Sequence, residues 1–122
     1  MRLKPLRSLT GRREFDLVFK EGSSLASKNL VIYARPNELG VSRLGLAVGK
    51  KIGKAVARNR IKRLLREAMR TMSEDIPLHY DFVFVARKLS ADSGMDDFVR
   101  DIKRFLSRLT NEKHSDIANK SI

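Results

Sequence analysis

The stretch GKKIGKAVARNRIKRLLREAM, residues 49–69 of a 122-residue chain, decides the fold. Within it Ile61, Leu64, Leu65, Ala68 and Met69 recur at i, i+3, i+4, i+7 and i+8, the period of a helix with one apolar stripe. This predicts an amphipathic helix from Lys54 to about Met72. Its polar arc holds the row Arg58, Lys62, Arg66 and Arg70, with Asn59 and Arg63 beside it. Between Gly49 and Arg70 nine cations face a single acid, Glu67, in a chain of formal net charge +12. A face that is merely solvated mixes signs, because like charges at i,i+4 repel by ~0.2–0.5 kcal/mol per pair. Lys50, Lys51 and Lys54 also crowd the helix start, where the macrodipole favours anions. Residue choices that weaken the isolated helix point to a polyanion that restores it, and free N–H groups at the helix start suit phosphate.

Working outward, the chain on both sides reads as sheet. From Ser23 to Val48 the period is two, with Leu30, Ile32 and Ala34 opposing Val31, Tyr33 and Arg35, and Leu44, Leu46 and Val48 opposing Gly45, Ala47 and Gly49. Two or three antiparallel strands are expected, turning at Pro36 to Gly40. The small residues on one face of 44–48 leave room for a close approach by a helix or ligand. Tyr80 to Ala86 is aromatic and β-branched over strand length, and with the long helix before it a strand–helix–strand crossover with parallel pairing follows, this strand being central. At the front, Thr10 can cap a helix over 11–21 carrying Phe15, Val18 and Phe19 on one face, with Gly22 as its stop. At the back, Ser93 and Asp96 resemble a capping box before a helix burying Phe98, Ile102, Phe105 and Leu109. One domain over 1–109 and a polar, disordered tail over 110–122 complete the organisation.

Composition narrows the chemistry. The chain has no cysteine, which removes disulfides, thiolate catalysis and cysteine-based zinc sites, and its two histidines, His79 and His114, lie far apart. Apolar runs stop at five residues, against the ~20 of a membrane span, and no secretory h-region follows the first basic residues, so a cytoplasmic protein is expected. No nucleophile elbow, phosphate-binding glycine loop or paired-histidine metal motif occurs, and the acids at Asp75, Asp81, Asp92, Asp96 and Asp97 suit caps and turns better than Mg²⁺. Nucleic acid binding without a catalytic constellation is the reading. RNA is favoured by the aromatics: Tyr33 alternates outward beside Arg35, and Phe15 and Phe19 share a helix face, so single-stranded bases have a surface on which to stack. Core packing is the competing role for the two Phe.

The run from Gly49 to Met69, with its Arg58-Asn59-Arg60 core, resembles the signature of the protein subunit of bacterial ribonuclease P. Glu14-Phe15 through Phe19-Lys20 with Gly22, Leu30 to Tyr33 and Asp81 to Lys88 extend the resemblance over nearly the whole chain up to Leu109. It implies an α+β fold, a two-layer α/β sandwich similar to a domain of ribosomal protein S five, ordered α-β-β-β-α-β-α with a left-handed crossover around the basic helix. It further implies a protein that assists an RNA enzyme removing the 5′ leader of precursor tRNA, with the catalytic Mg²⁺ held by the RNA subunit and no cofactor bound by the protein alone. By similarity, Lys54, Arg58, Asn59, Arg60, Lys62, Arg63, Arg66 and Arg70 contact the catalytic RNA subunit. Phe15, Phe19, Tyr33, Lys50, Lys51, Arg87 and Lys88 line a cleft for the single-stranded leader. A ribosomal or RNA-chaperone module and a metal-dependent nuclease acting alone are the competing classes.

Overall fold

A computed structural model describes residues 6–77 and 79–120; of Ser73 and of 111–120 the backbone alone is described. The basic stretch folds as expected: helix α2 spans Ala55–Thr71 and buries Ile61, Leu65, Ala68 and Met69. Helix α1 spans Arg12–Glu21 and helix α3 spans Met95–Lys120. The strands are β1 (Arg7–Ser8), β2 (Ser23–Ala26), β3 (Leu30–Pro36), β4 (Arg43–Ala47) and β5 (Tyr80–Ala86). They form one sheet in the order β1-β4-β5-β3-β2, so β5 is central. The family-like order of elements is present, preceded by the two-residue β1, which is too short to leave a periodic signal in the sequence.

Strand alternation sends neighbouring residues to opposite faces, and the two faces have separate cores. Leu30, Ile32 and Ala34 of β3, Leu44 of β4 and Phe82, Phe84 and Ala86 of β5 pack against Ile61, Leu65, Ala68 and Met69 of α2 and Phe98, Ile102, Phe105, Leu106 and Leu109 of α3. This is the sandwich. On the other face Val83 joins Val18 of α1 and Leu9, with Phe15, Tyr33 and Val85 packed around them.

The pairing of β4 differs from the expected antiparallel run. The turn after β3 forms, with Gly40 at φ 78 and the Leu39 N–H donating to Asn37 Oδ1, but it does not set β4 beside β3. Instead β5 inserts between them, antiparallel to β3 and parallel to β4, with Leu44 opposite Phe82 and Ala47 opposite Val85. The parallel strand–helix–strand unit expected around α2 is therefore present, and it displaces the hairpin because only a central β5 buries Phe82 and Phe84 under both α2 and α3.

Gly22 stops α1 as expected, while the start of α1 and both ends of α3 differ for local reasons. Gly11, not Thr10, precedes α1: at φ 96 it makes the turn out of β1 that a residue with a Cβ resists, and no side-chain cap forms. Gly22 ends α1 in an extended conformation, and what demands glycine there is space, since a Cβ would lie 2.6 Å from the Val18 carbonyl oxygen and 2.8 Å from that of Ala34. At α3 the cap is Asp97, whose Oδ2 accepts from the Gly94 N–H at 3.0 Å, while Ser93 Oγ is engaged elsewhere, donating to Asn29 Oδ1. Where a polar tail was expected after Leu109, α3 continues to Lys120; the side chains of 111–120 and residues 121–122 lie outside the described residues.

Candidate nucleic-acid interface

The sheet face beneath α1 is organised in cross-strand rows. The first row is Arg35, Asp81 and Arg43, the second Tyr33, Val83 and Gly45, the third Val31, Val85 and Ala47. In the first row Asp81, 2% exposed, receives Nε of Arg43 at 2.8 Å and Nη2 at 2.7 Å, and Asn37 Nδ2 at 2.8 Å. Arg43 Nη2 also reaches Glu14 of α1 at 3.3 Å, and Arg35 Nε meets Glu21 of α1 at 2.7 Å. Burial by itself raises the Asp81 pKa, but the hydrogen bonds from Arg43 and Asn37 and the charges of Arg43 and Arg35 outweigh it and hold the carboxyl below its ordinary value. The hydrogen bond to Asp81 raises Arg43 in return. These pairs fix α1 across the sheet at both of its ends.

Over the second row α1 places its aromatics. Phe15 and Phe19 meet edge to face at 6.2 Å between ring centroids, and Phe19 and Tyr33 at 4.9 Å. Phe15 is half-buried because Gly45 makes room for it: a Cβ there would stand 2.5 Å from Phe15 Cζ. The close approach anticipated at the small residues of β4 is therefore by an aromatic ring. Phe19 is 39% exposed, so the two Phe divide the roles that were in competition, Phe15 toward packing and Phe19 toward solvent. Gly45→Ala is expected to lower stability by roughly 1–2 kcal/mol, because Phe15 must swing away, and denaturant unfolding measures it.

The third row is only partly covered. Val31, Val85 and Ala47 are half-buried, and Val85 packs with Phe15 and Tyr33 around Leu9, Val18 and Val83. Because β4 and β5 run parallel, the chain leaves both at the same end of this sheet face, where Lys50 and Lys51 follow β4 in a 3-10 turn (Lys50–Ile52) and Arg87 and Lys88 follow β5. All four cations are exposed. The seven residues of the expected cleft thus fall into an aromatic set on α1 and β3 (Phe15, Phe19, Tyr33) and four exposed cations just beyond β4 and β5 (Lys50, Lys51, Arg87, Lys88). The period-two pattern of 30–35 sets Val31 on the face of Tyr33 and that of 44–49 sets Ala47 with Gly45, but it assigns no face to Val85.

On the opposite face α2 carries the second cationic surface. At 100° per residue its exposed arc contains Asn59, Arg63, Arg66 and Arg70, while Arg58 and Lys62 lie half-buried at one edge of the apolar stripe. Arg60 lies on the other flank, and its Nη2 donates to the Ser93 carbonyl at 3.2 Å. Arg70 pairs with Glu67 at 3.4 Å; Lys54, Arg58, Lys62, Arg63 and Arg66 have no side-chain hydrogen bond or ion pair among the described residues. Lys54 is the N-cap of α2 and makes no side-chain cap. Lys50, Lys51 and Lys54 lie where the chain passes from β4 to α2, so the two cationic sets share that corner. Among the described residues no three His, Asp or Glu side chains gather as a metal site requires.

The sequence profile of the family described as Ribonuclease P matches residues 3–110. This chain belongs to the ribonuclease P protein family. It is 45% identical over 96 residues to the ribonuclease P protein component of Clostridioides difficile, covering 78% of this chain and 84% of that one. With the counterpart from Caldanaerobacter subterraneus it shares 40% over 103 residues, 84% of this chain and 89% of the other. The solved ribonuclease P protein of Staphylococcus aureus superposes with a TM-score of 0.75 at 32% identity, over 87% of this chain and 96% of that one. That of Thermotoga maritima gives 0.75 at 36%, over 84% and 96%. Membership assigns the chain to an RNA-binding, tRNA-processing ribonucleoprotein. No helix among the described residues is long and apolar enough to cross a membrane.

Proposed function

We propose that this ribonuclease P protein docks on the catalytic RNA subunit through Lys54, Arg58, Asn59, Arg60, Lys62, Arg63, Arg66 and Arg70, and holds the single-stranded 5′ leader of precursor tRNA in a cleft of Phe15, Phe19, Tyr33, Lys50, Lys51, Arg87 and Lys88. The carrying observation is that the two sets of residues lie on opposite faces of one sheet and adjoin at the 50–54 corner, so both RNA segments can be held at once. In the cleft, aromatic edges and faces accept bases of any identity by stacking, while cations at its end meet phosphate. Across α2, unpaired guanidinium and ammonium groups exchange counterions for RNA phosphates. The protein contributes binding and orientation in the cytoplasm. Leader hydrolysis and its Mg²⁺ belong to the RNA subunit, and the chain needs no cofactor of its own.

Reconstitution tests this. With precursor tRNA and Mg²⁺ the protein alone is expected to cleave nothing, and with the RNA subunit added it is expected to stimulate release of the leader. Cleavage by protein alone would favour a self-sufficient nuclease, and absence of stimulation a ribosomal or chaperone module. The α2 surface has its own signature: RNA-subunit affinity falls with salt by ~0.7–0.9 in log–log slope per phosphate neutralised. Removing Arg58 and Arg63 together by alanine is expected to flatten that slope by about 1–2 units in filter-binding titrations.

A further inference from the structure

The two RNA surfaces are joined through the interior by buried polar groups. At one end Arg60 Nη2 donates to the Ser93 carbonyl at 3.2 Å, and Ser93 Oγ donates to Asn29 Oδ1 at 2.9 Å. Asn29 Nδ2 donates to Asp101 Oδ2 at 3.4 Å, and the same oxygen accepts from Ser27 Oγ at 2.8 Å. At the other end Arg87 donates Nη1 to the Ser27 carbonyl at 2.8 Å and its backbone N–H to the Asn29 carbonyl at 2.9 Å. Asn29 and Ser93 are each 4% exposed, whereas both arginines are exposed.

A buried network that is fully satisfied holds its members in one geometry, and among the described residues no buried side-chain nitrogen or oxygen lacks a partner. A guanidinium offers five N–H donors in a planar fork. Arg60 and Arg87 each spend one side-chain donor on a carbonyl that the network fixes, and keep the others for a ligand. Lys50, Lys51, Arg58, Lys62, Arg63 and Arg66 have no such tether. We propose that Ser27, Asn29 and Ser93 are positioning residues, which hold Arg60 on the RNA-subunit surface and Arg87 beside the leader ready for phosphate. This rests on the functional reading above. An arginine ordered in advance loses less rotamer freedom on binding, an advantage of roughly 2- to 10-fold in affinity per side chain.

Double-mutant cycles in the reconstituted holoenzyme test the assignment. Ser93→Ala is expected to weaken RNA-subunit binding by roughly 2- to 10-fold with an unchanged salt slope, and to have no further effect in an Arg60→Ala background. Ser27→Ala, at the other end, is expected to lower the preference for precursor over mature tRNA by a similar factor and to be silent in an Arg87→Ala background. Losses that add to those of the arginine variants mean a general structural role and overturn the proposal. Should Ser93→Ala not fold, Arg60→Lys and Arg87→Lys carry the test: each keeps the charge and gives up the fork, and full affinity in both overturns it. Parent protein that neither binds the RNA subunit nor prefers precursor tRNA would instead defeat the functional reading itself.

Discussion

Phe19→Ala is expected to weaken holoenzyme binding of precursor tRNA by about 5- to 150-fold, since stacking of a base on an aromatic ring is worth ~1–3 kcal/mol. Mature tRNA, having no leader, is expected to bind as before, and the loss is expected to persist across leader sequences because every base offers a π-face. Stability separates this from a packing defect. Truncating a fully buried Phe costs ~3–5 kcal/mol, but Phe19 is 39% exposed and meets Phe15 and Tyr33 in edge-to-face contacts on one side. Its truncation is expected to fall well below that range in urea unfolding. Phe15→Ala differs, because its ring fills the space over Gly45 and supports Val18 and Val83; it is expected to lower stability and leader affinity together. Equal losses for precursor and mature tRNA on Phe19→Ala would return that ring to the core and leave Tyr33, Arg87 and Lys88 to hold the leader.

Asp81→Ala is expected to destabilise the protein by about 3 kcal/mol at neutral pH, the low end for removing one member of a buried ion pair, because Arg43 keeps some solvent and its contact with Glu14. The effect depends on pH. The Asp81 carboxyl titrates lower in the fold than in the unfolded chain, where its pKa is about 3.9. Its ionised form therefore stabilises the fold above that value, and the contribution fades as pH falls through the lower, folded pKa. Denaturant titrations of parent and Asp81→Asn are expected to diverge at neutral pH and to converge under acid conditions. A constant difference across that range would show that the Arg43–Asp81 pair is not the source.

What the sequence makes legible follows from the range of each interaction. The stripe Ile61, Leu65, Ala68 and Met69 is repeated within one segment, so α2 and its cationic arc can be read without knowing the rest of the molecule. Tyr33 could be set on the face beneath α1 by alternation alone. Asp81 and Arg43 are 38 positions apart, and nothing local to either marks the other. The same holds for Phe15 and Gly45, whose fit is a matter of shape across two elements. The Ser93 cap failed for a related reason: a serine placed correctly for capping is taken by Asn29, 64 residues away. The turn at Pro36–Gly40 is legible in its own residues, while the strand that inserts beyond it begins 40 positions after Gly40, at Tyr80.

The central place of β5 also sets the order in which the molecule can be made. When a chain emerges from the ribosome, β3 and β4 appear first with no partner between them, and α2, whose contacts begin within its own turns, is complete at Thr71. The sheet face beneath α1 is incomplete until Val83 and Val85 follow, since both neighbouring strands bond to β5 and not to each other. Closing such long loops precedes the gain from pairing and slows assembly. A nascent chain therefore exposes its polycationic 50–70 segment before β5 is present to unite the sheet, and the rows beneath α1 are completed only when residues 80–86 follow.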